Sequence, residues 1–249
     1  MYLVLEMATA VVIDGAYFLR RFSFTFPHLD GTDPTQVAWA VMYLAGWHLA
    51  IRHRSEPIAR GDLDSGFLVS ESPSLYRIFF YDCAPLTKRI HHPVSKLALD
   101  LAKTDTAKIR MAIHQKLLDV RKVALRLGRL TDDFTWVLRP EALKRCLSEG
   151  SNFDPKDEDF ILNVTQKGVD MRLGLDVASM AYKRQVDQII LVAGDADFVP
   201  ATKLARREGI DVVLDPMGGK AARDLLDHVD GVRLCKMEKP HDGKRWLIA

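Results

Sequence analysis

The sequence predicts an α/β fold, a doubly wound and mainly parallel sheet interrupted by helical insertions. Three observations carry that prediction. Runs such as Ala10-Val11-Val12-Ile13 and Ile189-Ile190-Leu191-Val192-Ala193 are apolar at every position, the mark of strands covered on both faces. In the last third of the chain, helix-length amphipathic segments alternate with such runs, as right-handed crossovers require. Finally, aspartates stand just past the runs, and in parallel sheets ligands collect at the carboxyl ends of the strands.

The first strand is expected over Met7 to Ile13, and Gly15 to Arg21 begins the segment that follows it. Pro, Gly, Asp and Ser punctuate Phe22 to Ser74 and bracket one long helix from Pro34 to about Arg54. Asp33-Pro34 supplies its cap and its first helical residue. Phe22, Phe24 and Phe26 alternate, which reads as an extended segment. Core packing is the commoner use of such a set, and stacking on unpaired bases the rarer one.

Tyr76 to Tyr81 is the second strand, ending at Asp82. Thr104 to Arg129 reads as one helix, with Ile109, Ile113, Leu117, Val120, Ala124 and Leu127 as its apolar stripe and a cationic opposite face. A short strand, Thr135 to Leu138, and a short helix, Pro140 to Leu147, precede an acidic loop, Gly150 to Asp159, read as a hinge or linker. From there the order is a helix over Val169 to Lys183, a strand over Gln188 to Ala193, and a helix over Phe198 to Arg207. Gly209 ends that helix ahead of a strand from Ile210 to Leu214. The expected organisation is a single domain over residues 1–235, with insertions at about 28–75 and 84–130, followed by a tail at 236–249.

Composition narrows the function classes. Hydrophobic residues make up 48% of the 249, enough for a full core. Cys83, Cys146 and Cys235 are widely spaced and form no C-x-x-C pair, so neither a disulfide framework nor a zinc knuckle is indicated, and a reducing cytoplasm is the expected setting. Met1 to Met7 lacks the basic region and cleavage site of a secretory signal. The longest apolar stretch, Val37 to Ile51, contains Gly46 and His48 and falls short of the roughly 20 residues a membrane span needs, so it reads as a buried or interfacial helix. Net charge is only +2, yet basic residues crowd the segment from Lys88 to Arg145. Lys108, Arg110, Arg121, Lys122 and Arg126 are its candidate contacts to a polyanionic backbone, with a solvated helix face as the equal alternative.

The chemistry rests on Asp14, Asp170, Asp195 and Asp197. Two carboxylates about 4 Å apart repel by roughly 4 kcal/mol at an effective dielectric of 20, so a converging set needs a neutralising hard cation. Each residue also has a structural reading as a turn or helix cap. The pair in Gly194-Asp195-Ala196-Asp197-Phe198 is least well explained that way. Asp176 lies about 240° around a helix from Asp170 and cannot share its face, which leaves it at most a supporting place. Asp82 ends a strand with no further ligand beside it. The histidines show no catalytic spacing; His48, His53 and His114 fall on helices, where structural or surface use is usual. Gly218-Gly219-Lys220 lacks the spacing of a phosphate-binding loop and reads as a turn before a helix over Ala221 to Asp227.

Ile13-Asp14-Gly15-Ala16, Lys167-Gly168-Val169-Asp170 and Gly194-Asp195-Ala196-Asp197-Phe198-Val199-Pro200, in that order, resemble the signature of the NYN domain family, PIN-like ribonucleases. The likeness is best from about Gln166 to Leu214, with the first strand added. It implies a Rossmann-like sheet, hydrolysis of RNA phosphodiester bonds, and one or two Mg²⁺ or Mn²⁺ ions held by Asp14, Asp170, Asp195 and Asp197. Where that family usually has an asparagine three residues after its first aspartate, this chain has Tyr17. The expected protein is therefore a divalent-metal-dependent ribonuclease. The rival is an inactive RNA-binding or regulatory module that kept the pocket. A phosphohydrolase is disfavoured because Ala16 stands where its second aspartate would be. RNA is the expected partner, no membrane is, and homo-oligomerisation stays open.

Overall fold

The computed structural model describes residues 8–52, 66–131 and 135–237. The expectations for Met1 to Met7, for the end of the long helix beyond Arg52 and for most of the tail lie outside the described residues.

The chain runs β1 (Thr9–Asp14), α1 (Gly15–Thr25), α2 (Pro34–Arg52), α3 (Gly66–Glu71), β2 (Leu75–Cys83), β3 (Arg89–His91), β4 (Ala98–Asp100), α4 (Asp105–Leu118) and β5 (Val123–Leu130). It continues with β6 (Thr135–Leu138), α5 (Pro140–Glu149), β7 (Phe160–Asn163), β8 (Gln166–Lys167), α6 (Val169–Tyr182), β9 (Gln188–Val192), α7 (Val199–Arg207), β10 (Asp211–Asp215), α8 (Arg223–Leu226) and β11 (Gly231–Val232). Seven strands form one sheet in the order β11-β10-β9-β1-β2-β5-β8. All its pairings are parallel except that of β5 with β8.

The sheet is covered on both faces, as the uninterrupted apolar runs predict. Val11 and Ile13 of β1, with Ile78, Phe80, Ile190 and Val192, pack on α1, α2 and α4. Ala10 and Val12, with Phe79, Tyr81, Ile189 and Leu191, pack on α6, α7 and α8. Alternate residues of one strand thus feed two cores, because successive side chains point to opposite faces. The helix α2 is buried along much of its length, and Asp33 caps it through Oδ1, which accepts the Thr35 backbone N–H at 2.8 Å. No helix of the described residues is long and apolar enough to cross a membrane.

Strand order sets the position of the site. From β1 the chain builds outward through β2 and β5, then returns to β1's other side and builds outward again through β9, β10 and β11. The direction reverses between β1 and β9. The helices α1 and α7 that leave these two strands lie on opposite faces of the sheet, the arrangement that in parallel sheets places ligands at the carboxyl ends of the strands.

Three expectations are corrected. The segment read as one helix from Thr104 to Arg129 is α4 followed by β5; Ile78 pairs with Val123 and Cys83 with Gly128, and this long-range pairing overrides a helical stripe. Phe22, Phe24 and Phe26 are not extended. Phe22 lies in α1 and Phe26 caps it, and Phe18, Phe22 and Phe26 form a buried ring cluster at helical spacing, with centroids 5.3–6.1 Å apart. Each such ring is worth about 1.5–3 kcal/mol of burial. Finally, the core continues through Cys235 and Met237, past the boundary placed at residue 235.

Candidate active site

Asp14 is the last residue of β1, one position beyond the final β1–β9 pair, Ile13 with Val192. It also caps α1: its Oδ1 accepts the Tyr17 backbone N–H at 3.1 Å. Burial raises the Asp14 pKa and the charge of Asp170 raises it further, against the Tyr17 N–H and the Arg20 charge, which lower it. Asp14 therefore caps α1 and also feels the charge of Asp170.

Asp170 reaches the same edge by another route. Leu130 at the carboxyl end of β5 pairs with Gln166 of the antiparallel β8, and Gly168, at φ +81°, turns the chain into α6. Gly168 is the cap, so Asp170 sits in the first turn with its side chain exposed. It accepts no side-chain hydrogen bond among the described residues. Its pKa is raised by partial burial, then by Asp197, then by Asp195. Among the described residues no cation lowers it.

The strand β9 delivers the other two carboxylates. After Ala193-Gly194 the chain enters a 3₁₀ turn, Ala196–Phe198, capped by Asp195, whose Oδ1 accepts the Asp197 N–H at 3.3 Å. Both side chains are exposed, and that of Asp197 has no hydrogen-bond partner among the described residues. The charge of Asp170 acts on Asp14, and those of Asp197 and Asp195 act on Asp170, which links the four carboxylates electrostatically at the carboxyl edge of the sheet.

Tyr17 braces this edge. Its hydroxyl donates to the Pro216 carbonyl at 2.7 Å, and its ring fills the space beside two glycines. A Cβ on Gly194 would lie 2.5 Å from Tyr17 Cε2, and one on Gly219 would lie 2.5 Å from the hydroxyl oxygen. The loop after β10 is tied back as well, since the Ala222 N–H donates to the Gly194 carbonyl at 3.0 Å. Tyr17 therefore holds the ends of β1, β9 and β10 against one another.

Two buried aspartates, each in contact with a histidine, frame the region. Asp82 Oδ2 meets Arg110 Nη1 at 2.6 Å and His114 Nε2 at 2.8 Å, fastening α4 to the end of β2. Burial alone would raise the Asp82 pKa, but the His114 hydrogen bond and the Arg110 charge outweigh it and hold the carboxyl below its usual range. Asp215 and His48, both 0% exposed, pair at 2.9 Å. The Asp215 carboxylate also accepts the N–H groups of Met217 and Cys235, at 2.8 and 3.0 Å. Asp215 was missed in the sequence although it carries the same signal, an apolar run ending in aspartate. Its complete burial and full set of partners make it structural. Asp176 accepts from the Tyr81 hydroxyl at 2.8 Å and from Arg126 Nε at 3.1 Å, so it supports the position of α6, as its helical phase predicts.

The donor chemistry suits a hard divalent cation. The four carboxylates offer oxygen only, and in Asp14 and Asp170 the ionised form is disfavoured first by burial and then by neighbouring carboxylates. The nearby Cys83 thiol, with its pKa pushed up to about 11 by burial and Asp82, stays protonated and leaves no soft ligand. Among the described residues no three His, Cys, Asp or Glu side chains are gathered tightly enough to cage an ion.

The expected basic contacts divide. Lys108 is exposed on α4, Arg110 is committed to Asp82, and Arg126 pairs with Asp176 at 3.1 Å while lying over the Phe79 ring. Arg121 and Lys122 are at the opposite, amino-terminal edge of the sheet. Arg121 meets the Ser70 carbonyl and Glu71, and Lys122 Nζ donates to the Ser72 and Leu75 carbonyls, both at 2.7 Å. Nearer the aspartates are exposed cations that the sequence did not single out: Arg20 on α1, and Arg129 and Lys167, paired across β5 and β8 just ahead of Gly168.

Comparison with family models matches the NYN domain over residues 105–233, just over half of the chain. The matched stretch includes Asp170, Asp195 and Asp197; Asp14 joins them through the sheet. Comparisons with curated proteins and with solved structures give no match.

Proposed function

From the premise that the chain belongs to the NYN domain family, a PIN-like nuclease family, we propose that it is a divalent-metal-dependent ribonuclease whose site is built from Asp14, Asp170, Asp195 and Asp197. The observation that carries this reading is Asp170: an exposed carboxylate with no hydrogen bond among the described residues, its pKa raised by partial burial and by the charges of Asp197 and Asp195. A fold retains such repulsion where something outside the chain relieves it. Bound there, Mg²⁺ or Mn²⁺ would supply the Lewis acidity that activates water and stabilises charge on the phosphate.

The chain's own residues would do the rest. Asp170 and Asp197, without hydrogen bonds to their side chains among the described residues, are the available ligands. Asp14 and Asp195 each give one oxygen to a backbone N–H and keep the other for the site. Those bonds fix the carboxylates ahead of binding, and preorganisation of this kind lowers the cost of assembling the reactive arrangement. Arg129 and Lys167 are exposed on β5 and β8 ahead of Gly168, and the charge of Arg20 reaches Asp14, so RNA phosphates would find positive charge on the strands and helix that carry the aspartates. Lys108 extends the positive surface along α4.

The test is cleavage of labelled single-stranded RNA by the wild type and by Asp170→Asn and Asp195→Asn in Mg²⁺ or Mn²⁺, with melting curves on the same samples. Cleavage lost in both folded variants and in EDTA is the expected result; cleavage that persists in excess EDTA refutes the reading.

One observation favours a second reading. Tyr17 occupies the place of the asparagine usual in the family and is consumed by packing and by its bond to Pro216, so it offers no amide to the pocket. On that reading the domain binds RNA without cutting it. RNA bound equally well by every Asp→Asn variant, with no product at any metal concentration, would establish it.

A further inference from the structure

One face of α1 runs along the loop that follows β10. Tyr17 bonds the Pro216 carbonyl, Arg21 donates from Nε and Nη2 to the Met217 carbonyl, each at 3.3 Å, and one turn further on Phe24 lies against Gly218. The positions 17, 21 and 24 share a helix face. Phe24 is the exception among the phenylalanines of this helix: Phe18 and Phe22 are buried, while Phe24 is 64% exposed. It is nonetheless held in place. The Arg21 guanidinium carbon stands 4.4 Å from the ring centroid, and Gly218, at φ +66°, leaves a gap that any Cβ would close by colliding with the ring.

Leaving a phenylalanine this open gives up most of its burial energy, yet its position is fixed by a cation and a glycine turn. Arg20, one residue from Arg21 and with its guanidinium 5.7 Å from the Tyr17 ring centroid, and Lys220, two residues past Gly218, are both exposed, and the start of α1 is capped by Asp14. Ten residues separate Asp14 from Phe24, roughly 15 Å at 1.5 Å per residue. That is about four nucleotides at the 3.4 Å per-strand spacing of a duplex, and fewer in an extended strand.

We infer that Phe24, backed by Arg21, is a stacking platform for an unpaired base of a single strand whose phosphates lie on Arg20 and Lys220 and whose backbone continues to the aspartates. An aromatic ring with a cation behind it and basic residues around it matches the alternating bases and phosphates of a single-stranded nucleic acid, and a duplex, with its bases stacked inside, cannot use the ring. The inference rests on the proposed RNA substrate class and deepens it; it does not depend on whether that substrate is cut.

The experiment is fluorescence anisotropy of a labelled oligouridylate titrated with the full chain in EDTA, where binding is read apart from cleavage. Phe24→Ala should weaken binding at least about 5-fold, from the usual worth of one stacked base. Phe24→Trp should bind as well as the wild type or better, and Phe24→Leu should resemble Phe24→Ala. An oligomer lacking bases should bind all four proteins alike. Equal oligouridylate affinity for wild type and Phe24→Ala overturns the platform, as does a wild type that prefers duplex or binds no strand. A Phe24 effect that survives while Asp170→Asn leaves cleavage unchanged would instead refute the aspartate reading and leave the platform standing.

Discussion

The Tyr17–Gly194 contact yields a prediction in which steric and functional consequences separate. In Gly194→Ala the new Cβ would sit 2.5 Å from Tyr17 Cε2 and 3.0 Å from Cζ, well inside van der Waals contact. Gly194 is not among the positive-φ residues, so backbone strain is not at issue. Tyr17 cannot swing away freely, because its hydroxyl is bonded to Pro216 and its ring is enclosed. Overpacking of this kind costs about 1–3 kcal/mol, and at about 2–4 °C per kcal/mol for a domain of this size the melting temperature should fall by roughly 2–12 °C. Tyr17→Leu removes the ring and leaves the Pro216 carbonyl without its donor, about 1–3 kcal/mol. Once the ring is gone the alanine has room, so the double variant should lose less than the sum of the singles, by about 1 kcal/mol or more. Denaturant unfolding of the four proteins measures the coupling. Because Asp195 follows Gly194 directly, Gly194→Ala should also weaken Mn²⁺ binding, and Tyr17→Leu should restore part of it. Additive losses within about 0.3 kcal/mol would refute the claim that Tyr17 dictates the glycine.

Other predictions follow from the charges. Asp82→Ala strands His114 and Arg110 and should cost about 3–5 kcal/mol, read by chemical denaturation; a loss under 1 kcal/mol contradicts the buried pair. The lowered Asp82 pKa contributes stability that is present above the ordinary carboxyl range near 4 and is lost as pH falls through the lower folded-state value. Asp14 and Asp170 act in the opposite sense: with raised folded-state pKa values, they cost stability as pH rises from about 4 through those values. Asp170→Asn should therefore raise the melting temperature of the cation-free protein at neutral pH. Solvent screening keeps the gain to roughly a few tenths of a kcal/mol, and saturating Mn²⁺ should reverse the ranking by stabilising only the wild type. A variant less stable than the wild type in EDTA would show that Asp170 is not under charge strain.

The sequence made legible those parts whose local and tertiary preferences agree. The strands β1, β9 and β10 are continuous apolar runs, α6 starts right after Gly168 and α7 ends just before Gly209, and both helices are amphipathic at helical spacing; each stands within a residue or two of expectation. The site's aspartates were visible because each follows such a run or glycine turn. The strand β5 was hidden because Val120, Ala124 and Leu127 fit a helical stripe, and only pairing with β2, more than forty residues earlier, decides otherwise. The two-residue β8, which reverses the chain to deliver Asp170, is too short to leave any period. Phe22, Phe24 and Phe26 alternate like a strand, but the contacts of Phe18, Phe22 and Phe26 run four residues apart. The pairs Asp215–His48 and Asp82–His114 join residues 167 and 32 positions apart, and no local pattern announces them. The same is true of Tyr17, whose bracing role depends on a glycine 177 positions away.

The most direct test is calorimetric titration of Mn²⁺ into the wild type and Asp170→Asn at neutral pH. Carboxylates drawn together to hold a cation should give a saturable isotherm in the wild type and at least about tenfold weaker binding in the variant, equivalent to 1.4 kcal/mol. Isotherms that coincide, or heat no greater than dilution in both, would contradict the claim that these aspartates form an ion site.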